Sequence, residues 1–299
     1  MIEASSASYE ELPEHAPFSV HLAAGAIAGI AEHTLTYPLD FIKTRLQVLH
    51  PTPAALYTGL TSALRTISLE EGPMRLLRGI QSVALGAGPA HAVYFATYEK
   101  VKSVLVREGE AGTSPLKTGM AGAVATTFAD AIMTPFDVIK QRLQIHNSQY
   151  RGLWDCFTQV LRREGPSAFY LSYPTTLLLN IPFHGLQFPI YERLRQTLNP
   201  KGHYSPGTHI LAGGLAGACA GFVTTPVDNL KTVLQIRGES PALLEKAACM
   251  RGAARAILEK HGWRGFWRGA VPRTLTFMPS TAICWSVYEY FKYFMSSTH

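Results

Sequence analysis

The side chains best suited to chemistry in this sequence are histidines and carboxylates set inside long apolar stretches. His33 and Asp130 each stand five residues before a proline, Pro38 and Pro135, and seven before a second acid, Asp40 and Asp137. Seven residues are nearly two helical turns, so each pair shares one face of a helix. Gly221 holds the corresponding place before Pro226 and Asp228. His91 and His184 form a second register, each two residues after a proline (Pro89, Pro182) and 11 before a base (Lys102, Arg195), with Thr281 as the third occupant. Eleven residues make about three turns, which again aligns them with the base. Imidazole and carboxylate together suit a borderline divalent transition ion, and the thioethers of Met278 and Met133 would add soft donors. The competing reading of a histidine in an apolar helix is a hydrogen bond to a neighbouring helix. Two registers with paired occupants weigh against it for His33 and His91, and less so for His184. Glu32 is turned about 100° away from His33, towards a neighbouring helix.

The elements that must position these groups are repeated three times. Pro38, Asp40, Lys43 and Gln47 return as Pro135, Asp137, Lys140 and Gln144, and again as Pro226, Asp228, Lys231 and Gln235. Each copy has a proline, an acid two residues on, a base five on and a glutamine nine on, which marks an internal repeat. A second motif is threefold as well: Tyr98-Glu99-x-x-Lys102, Tyr191-Glu192-x-x-Arg195 and Tyr288-Glu289-x-x-Lys292, each acid ten residues after Pro89, Pro182 or Pro279. The expected fold is an all-α membrane protein with six tilted transmembrane helices in three pseudo-threefold repeats. Repeats span 17–105, 114–199 and 206–296, after an acidic, proline-bearing, disordered lead-in at 1–16. Short amphipathic segments are expected around 60–70, 153–163 and 245–260. Each echo proline should kink its helix, because it lacks an N–H and crowds the preceding turn. Gly25 and Gly29, Gly122, and Gly213, Gly217 and Gly221 read as sites of close helix approach.

The two motifs suggest gates. Within a helix, an acid and a base three apart pair for about 0.2–0.5 kcal/mol. Threefold symmetry offers a ring instead, in which Asp40, Asp137 and Asp228 each meet the lysine of the next repeat (Lys140, Lys231, Lys43). Glu99, Lys102, Glu192, Arg195, Glu289 and Lys292 would form a second ring at the opposite mouth. The two should close alternately. Desolvation offsets much of the attraction in such bridges, which suits contacts broken in every cycle.

Composition agrees with a membrane. Hydrophobic residues make up 47% and charged residues 16%, against about 25% charged in soluble domains. The mean hydropathy of +0.06 is low for a lipid-embedded bundle, as a polar interior would make it. Of 27 Lys and Arg, 18 lie in the segments 43–78, 140–171 and 231–268. This places the basic loops on one side, as the positive-inside bias does, and argues against nucleic-acid binding. Cys156, Cys219, Cys249 and Cys284 form no CxxC or paired spacing, so neither a zinc site nor a disulfide framework is expected. No Lys or Arg lies between Arg78 and Lys100, and residues 172–190 and 207–225 contain no Asp, Glu, Lys or Arg. A carrier of nucleotides or carboxylates would need cations there to replace water around an anion.

The triplicated Px[DE]xx[KR] and [FY][DE]xx[KR] motifs resemble those of the mitochondrial carrier family, across residues 18–295. The stretches Ala31-Glu32-His33, Gly88-Pro89-Ala90-His91-Ala92, Asn180-Ile181-Pro182-Phe183 and Met278-Pro279-Ser280-Thr281 resemble the mitoferrins, the iron carriers within that family. The resemblance implies a multi-pass inner-membrane transporter with both termini in the intermembrane space, working as a monomer. It makes the echo ring the matrix gate braced by Gln47, Gln144 and Gln235, and the second ring the cytoplasmic gate braced by Tyr98, Tyr191 and Tyr288. It also implies cardiolipin at the turns with Gly72, Arg78, Gly79, Gly165, Gly262, Arg268 and Gly269. The second copy departs there, with Leu171-Ser172 in place of a base and glycine. His33, His91 and His209 become metal-handling histidines, with Asp130, Asn180 and Met278 near the contact points. Leu179 stands where mitoferrins usually have methionine, which removes one soft donor.

The expected function is transport of ferrous iron, with other divalent transition ions, into the matrix for haem and iron–sulfur cluster synthesis. No permanently bound cofactor and no enzyme activity are expected. The alternative is a proton-coupled carrier of a neutral or cationic small organic substrate, with the histidines as proton sites. A metalloenzyme is disfavoured, because no two-histidine, one-carboxylate set lies on one local element. A membrane scaffold would not need two complete gate sets.

Overall fold

The computed structural model describes residues 34–49, 57, 59–105, 115–200, 205–237 and 249–296. His33, the lead-in and the Gly25 and Gly29 pair lie outside the described residues, as do the side chains of Glu99, Tyr288, Glu289 and Lys292. Every regular element among the described residues is helical. Helix α1 covers 34–47. Helix α2 (Leu60–Thr66) runs into a π turn (Ile67–Glu71) and a 3-10 turn (Pro73–Leu77), followed by α3 (Ile80–Leu105). The second copy holds α4 (Pro115–Gln144), α5 (Leu153–Glu164), the single turn α6 (Ser167–Tyr170) and α7 (Tyr173–Leu198). The third holds α8 (Pro206–Ile236), α9 (Met250–His261), a 3-10 turn (Trp263–Trp267) and α10 (Ala270–Ser296).

Helices α3, α4, α7, α8 and α10 are 26 to 31 residues long. About 20 residues cross a bilayer core, so each is long enough to span at a tilt. Among the described residues only Gly207–Ile236 combines that length with the apolarity of a membrane span, at a mean hydropathy of 1.6. The other long helices are diluted by polar residues on the faces that meet one another. Large apolar side chains along the long helices are exposed, including Phe128, Ile181, Phe188 and Phe222.

Prolines 89, 135, 182, 189, 226 and 279 all sit inside helices. Just before two of them, threonine hydroxyls donate back to the preceding turn: Thr134 to the Asp130 carbonyl at 2.6 Å and Thr225 to the Gly221 carbonyl at 2.8 Å. Such back-bonds re-use carbonyls near the break and bend the helix.

Helix α3 packs on α4, α7 on α8, and α8 on α10. The glycines of α8 serve the last contact: a methyl added at Gly213 would lie 2.8 Å from the Thr281 methyl, and one at Gly217 would lie 2.8 Å from the Phe277 ring. The short helices dock by one apolar face. Leu153, Cys156 and Val160 of α5 are buried against Val138, Ile139 and Leu143 of α4, each aliphatic side chain contributing about 1.5–3 kcal/mol on full burial. Helix α5 ends at Gly165 (φ 81°) and α9 at Gly262 (φ 61°). These docked helices hold the ends of α4 and α8 in place.

Candidate functional site

The echo residues sit where α1, α4 and α8 end together. Lys43 of α1 lies 2.8 Å from Asp228 of α8, Lys140 of α4 lies 3.0 Å from Asp40 of α1, and Lys231 of α8 lies 3.1 Å from Asp137 of α4. Each lysine therefore reaches the acid of the preceding repeat, and the three bridges form a ring. The ring is not symmetric. Asp228 also holds Arg273 of α10 in an ion pair and accepts a 3.0 Å hydrogen bond from Gln47. Gln47 in turn accepts from Thr232 at 2.8 Å. Gln144 and Gln235 are fully buried at the same level, but neither has this bridging geometry. Lys140 also stands 5.2 Å from the centre of the Tyr37 ring, in cation–π range.

One turn beyond the ring, two arginines are wholly buried. Arg45 donates to Glu71 at 2.8 Å, and Arg142 makes a two-pronged ion pair with Glu164. The third copy has Val233 and His261 at these places. Val233 packs with Ile257 and Phe266, while His261 pairs with Arg268. The two arginines, their glutamates and Arg273 were not among the candidates read from the sequence. The signal that could have found them is the joint loss of arginine and glutamate in the third copy.

Above the ring, Asp130 accepts a 2.6 Å hydrogen bond from Asn180, linking α4 to α7. The equivalent place in the third repeat is apolar: the Phe277 ring fills the space left by Gly221 and stacks on Phe183 at 5.4 Å. Glycine is required here, since a methyl at Gly221 would fall inside the ring's van der Waals envelope. Gly221→Ala is expected to cost about 1–3 kcal/mol, the usual range for overpacking, read as a lower melting temperature in detergent. Met278 turns its sulfur onto Gly214, into the α8–α10 contact. His184 is exposed on α7, its ring 5.3 Å from Phe183 and 6.0 Å from Phe188. His91 is half-buried on α3. Among the described residues no group of three or more His, Cys, Asp or Glu side chains is placed to hold a metal ion. Asp130 and Asn180 thus form a pair and not a cage.

At the opposite mouth the described side chains bond within their own helix or to a neighbour. Arg195 pairs with Glu192 at 2.8 Å, three residues away, and Lys102 lies over the Tyr98 ring at 5.5 Å. Tyr191 meets Nδ1 of the buried His209 at 2.6 Å, across the α7–α8 contact. One ring nitrogen of His209 is therefore committed to the phenol.

The turn glycines Gly72, Gly79 and Gly269 have positive φ (87°, 93° and 77°), like Gly165 and Gly262. Gly79 has a further constraint, because a methyl there would lie 2.8 Å from the Tyr37 hydroxyl. Ser172, the second-copy equivalent of Gly79 and Gly269, has a right-handed backbone instead (φ −85°) and caps α7. A cleft of about 190 Å³ lies between the start of α3 and the start of α5, lined by Arg78, Gly79, Arg151 and Gly152. Arg78 donates across it to the Tyr150 carbonyl.

Among the described residues, a ring of three inter-repeat bridges, three docked short helices and five helices of 26 to 31 residues make a specific combination, and relatives share the sequence behind it. The family model described as mitochondrial carrier protein matches residues 14–109, 112–202 and 202–299. The mitochondrial RNA-splicing protein MRS4 of Saccharomyces cerevisiae is 48% identical, over 98% of this chain and 96% of its own. Mitoferrin-1 of Danio rerio is 47% identical over 96% of this chain and 88% of its own. Human mitoferrin-1 is 46% identical over 97% and 88%. Three consecutive matches, one to each repeat, leave no part of the architecture outside them: the chain belongs to the mitochondrial carrier protein family.

Proposed function

We propose that this protein carries ferrous iron, with other divalent first-row ions, across the mitochondrial inner membrane into the matrix, as a transporter and not an enzyme. The observation that carries this reading is the Asp130 and Asn180 pair. It is an anionic oxygen donor set two turns above a gate acid, in a chain whose α3, α7 and α8 carry no cation at that depth. A divalent cation gains from such a site and an anion does not. His91, on the inward register of α3, and His33 supply imidazoles that suit a borderline ion. His209, whose Nδ1 meets Tyr191, would be a further histidine near the intermembrane-space mouth. Few and weak ligands suit a cargo that must leave again. The similarity to mitoferrins agrees with this cargo.

In this reading the structure is the state closed at the matrix. The echo ring is shut, whereas at the opposite mouth Arg195 pairs with Glu192 of its own helix. The cleft at Arg78 and Gly79 would seat an anionic lipid headgroup such as that of cardiolipin. The name of the yeast relative mentions RNA splicing, but in this chain Lys43, Lys140, Lys231, Arg45, Arg142 and Arg273 are all engaged in ion pairs, so none of these six is left for phosphates.

The test is metal uptake into proteoliposomes. His33→Ala combined with His91→Ala should abolish Fe²⁺ uptake while the melting temperature stays close to wild type. Retained uptake in that double variant would sink the ligand assignment. A thermal-shift screen separates the cargo classes, because stabilisation by an amino acid or organic cation and not by metals would favour the proton-coupled alternative.

A further inference from the structure

A second set of contacts joins the repeats outside the Asp–Lys ring. Two residues after the three echo glutamines stand Leu49, His146 and Arg237, and the matching turns begin with Glu71, Glu164 and His261. His146 Nδ1 lies 2.9 Å from Glu71 Oε1, joining repeat 2 to repeat 1. Arg237 Nε lies 3.8 Å from Glu164 Oε2, joining repeat 3 to repeat 2. Leu49 completes the set without charge, packed with Val233, Ile257 and Phe266 of repeat 3. Each runs from one repeat to the preceding one, as the ring lysines do. The same device is therefore built three ways: a permanent ion pair, an apolar contact and a titratable one.

The outer contact is mechanically tied to the ring. Glu71 is fastened to Arg45, two residues after Lys43 on α1, and to Arg75 at 3.0 Å. His146 stands six residues after Lys140, just past the end of α4. Parting Lys140 from Asp40 must separate the helix ends that hold His146 and Glu71. We propose that the His146 and Glu71 pair is a pH-sensitive latch on the echo-ring closure: when His146 is protonated it resists opening between repeats 1 and 2, and when neutral it releases them. The proposal rests on the ring acting as a gate and is independent of the cargo.

Glu71 is the fixed member of the pair. Burial opposes the charge of Glu71, but the His146 hydrogen bond and Arg45 outweigh it and hold the carboxyl below its ordinary value. Glu71 thus stays ionised through the neutral range, where an imidazole changes charge. Among the described residues, the other charged or titratable groups acting on Glu71 and its neighbours at this corner are Arg45, Arg75, Arg78, Tyr57, Glu70 and the buried Cys156. Arginine keeps its charge between pH 6 and 8, and burial pushes the Tyr57 phenol further up, so it stays neutral. The sign follows: protonation adds attraction only to the closed state, so closure gains as the ring-side pH falls and opening gains as it rises.

The experiment uses the full chain in vesicles oriented with the ring towards the lumen, with only the lumenal pH varied from about 6 to 8, across the titration range of histidine. Wild-type initial uptake should rise about threefold across that range, the size expected of one partly exposed ion pair. His146→Leu, which copies Leu49, should be fast and flat with pH. His146→Arg, which copies Arg237, should be slow and flat. His146→Gln keeps a hydrogen bond without the charge and guards against a folding defect in the leucine variant. A cargo-free readout separates failure of the latch from failure of the iron assignment. Spin labels at Leu69→Cys and Trp154→Cys, in a background lacking the native cysteines, should move apart as pH rises only when His146 is present. An unchanged wild-type pH response in both His146→Leu and His146→Gln would overturn the proposal.

Discussion

Arg142→Ala is expected to lower stability by about 3–5 kcal/mol, the cost of breaking a buried ion pair by removing one partner. Arg142 is fully buried, and its loss strands Glu164, whose side chain is only 7% exposed, with the more distant Arg237 as its remaining cation. It also removes the 3.0 Å bond from Arg142 Nε to the Gln235 carbonyl, a direct tie from repeat 2 to repeat 3. The contrast is Arg195→Ala, which breaks a pair with exposures of 27% and 45% and should cost no more than about 1 kcal/mol. Replacing both partners, as Arg142→Val with Glu164→Leu, should recover part of the loss, because Glu164 is no longer left as a buried charge, although Arg237 then loses its partner. The third repeat already uses valine at this place. Recovery should stay incomplete because the Gln235 carbonyl remains without its donor. Thermal or denaturant unfolding in detergent checks all three. A double variant worse than Arg142→Ala would mean that Glu164 is not the group that makes the single change costly.

These contacts show which parts of the molecule were legible in its sequence. Among the described residues, the five long helices, the docked short ones and the partners in the ring followed from a repeat of period near 100, because symmetry leaves a lysine few acids to meet. Symmetry is also why the rest was missed. Arg273 has no counterpart, since its equivalents are Val83 and Thr176, so threefold comparison gave it no role. Arg45 and Arg142 stand inside two of the echoes, but the third has Val233, so the position is not part of the threefold pattern. The same register logic set Gly221 beside His33 and Asp130 as an empty place, whereas the structure fills it from α10 with Phe277. Helical phase tells which face a residue occupies and not what the neighbouring helix puts there. Met278 illustrates this, because its sulfur meets a glycine backbone. The pairing of Asp130 with Asn180 joins two helices 50 residues apart in sequence, which a count along one helix cannot find.

The second large effect concerns the asymmetry of the ring. Asp228→Asn should impair transport far more than Asp40→Asn, although the two acids are equivalent in sequence. Asp228 answers two cations, Lys43 and Arg273, with a side chain 6% exposed, while Asp40 meets Lys140 at 26% exposure. Neutralising Asp228 leaves two partly buried cations facing each other, at about 3–5 kcal/mol against closure, or a factor of at least a hundred in the closed-to-open ratio. Neutralising Asp40 leaves one lysine in place of two facing cations and should cost less. Charge exchange sharpens the difference. Asp40→Lys with Lys140→Asp rebuilds a bridge and should restore much of the uptake lost in Asp40→Lys alone. Asp228→Lys with Lys43→Asp should not, because the new lysine would stand against Arg273. Adding Arg273→Ala to that exchange removes the obstruction and should bring uptake back. The checks are uptake in proteoliposomes and the reactivity of an engineered thiol beside the ring towards a reagent confined to the ring side. Equal rescue by the two exchanges would show that Arg273 does not act on the gate. Unequal rescue, relieved by Arg273→Ala, would identify the contact between repeats 1 and 3 as the one that holds the ring shut longest, so that opening begins at the two sectors closed by Lys140 and Lys231.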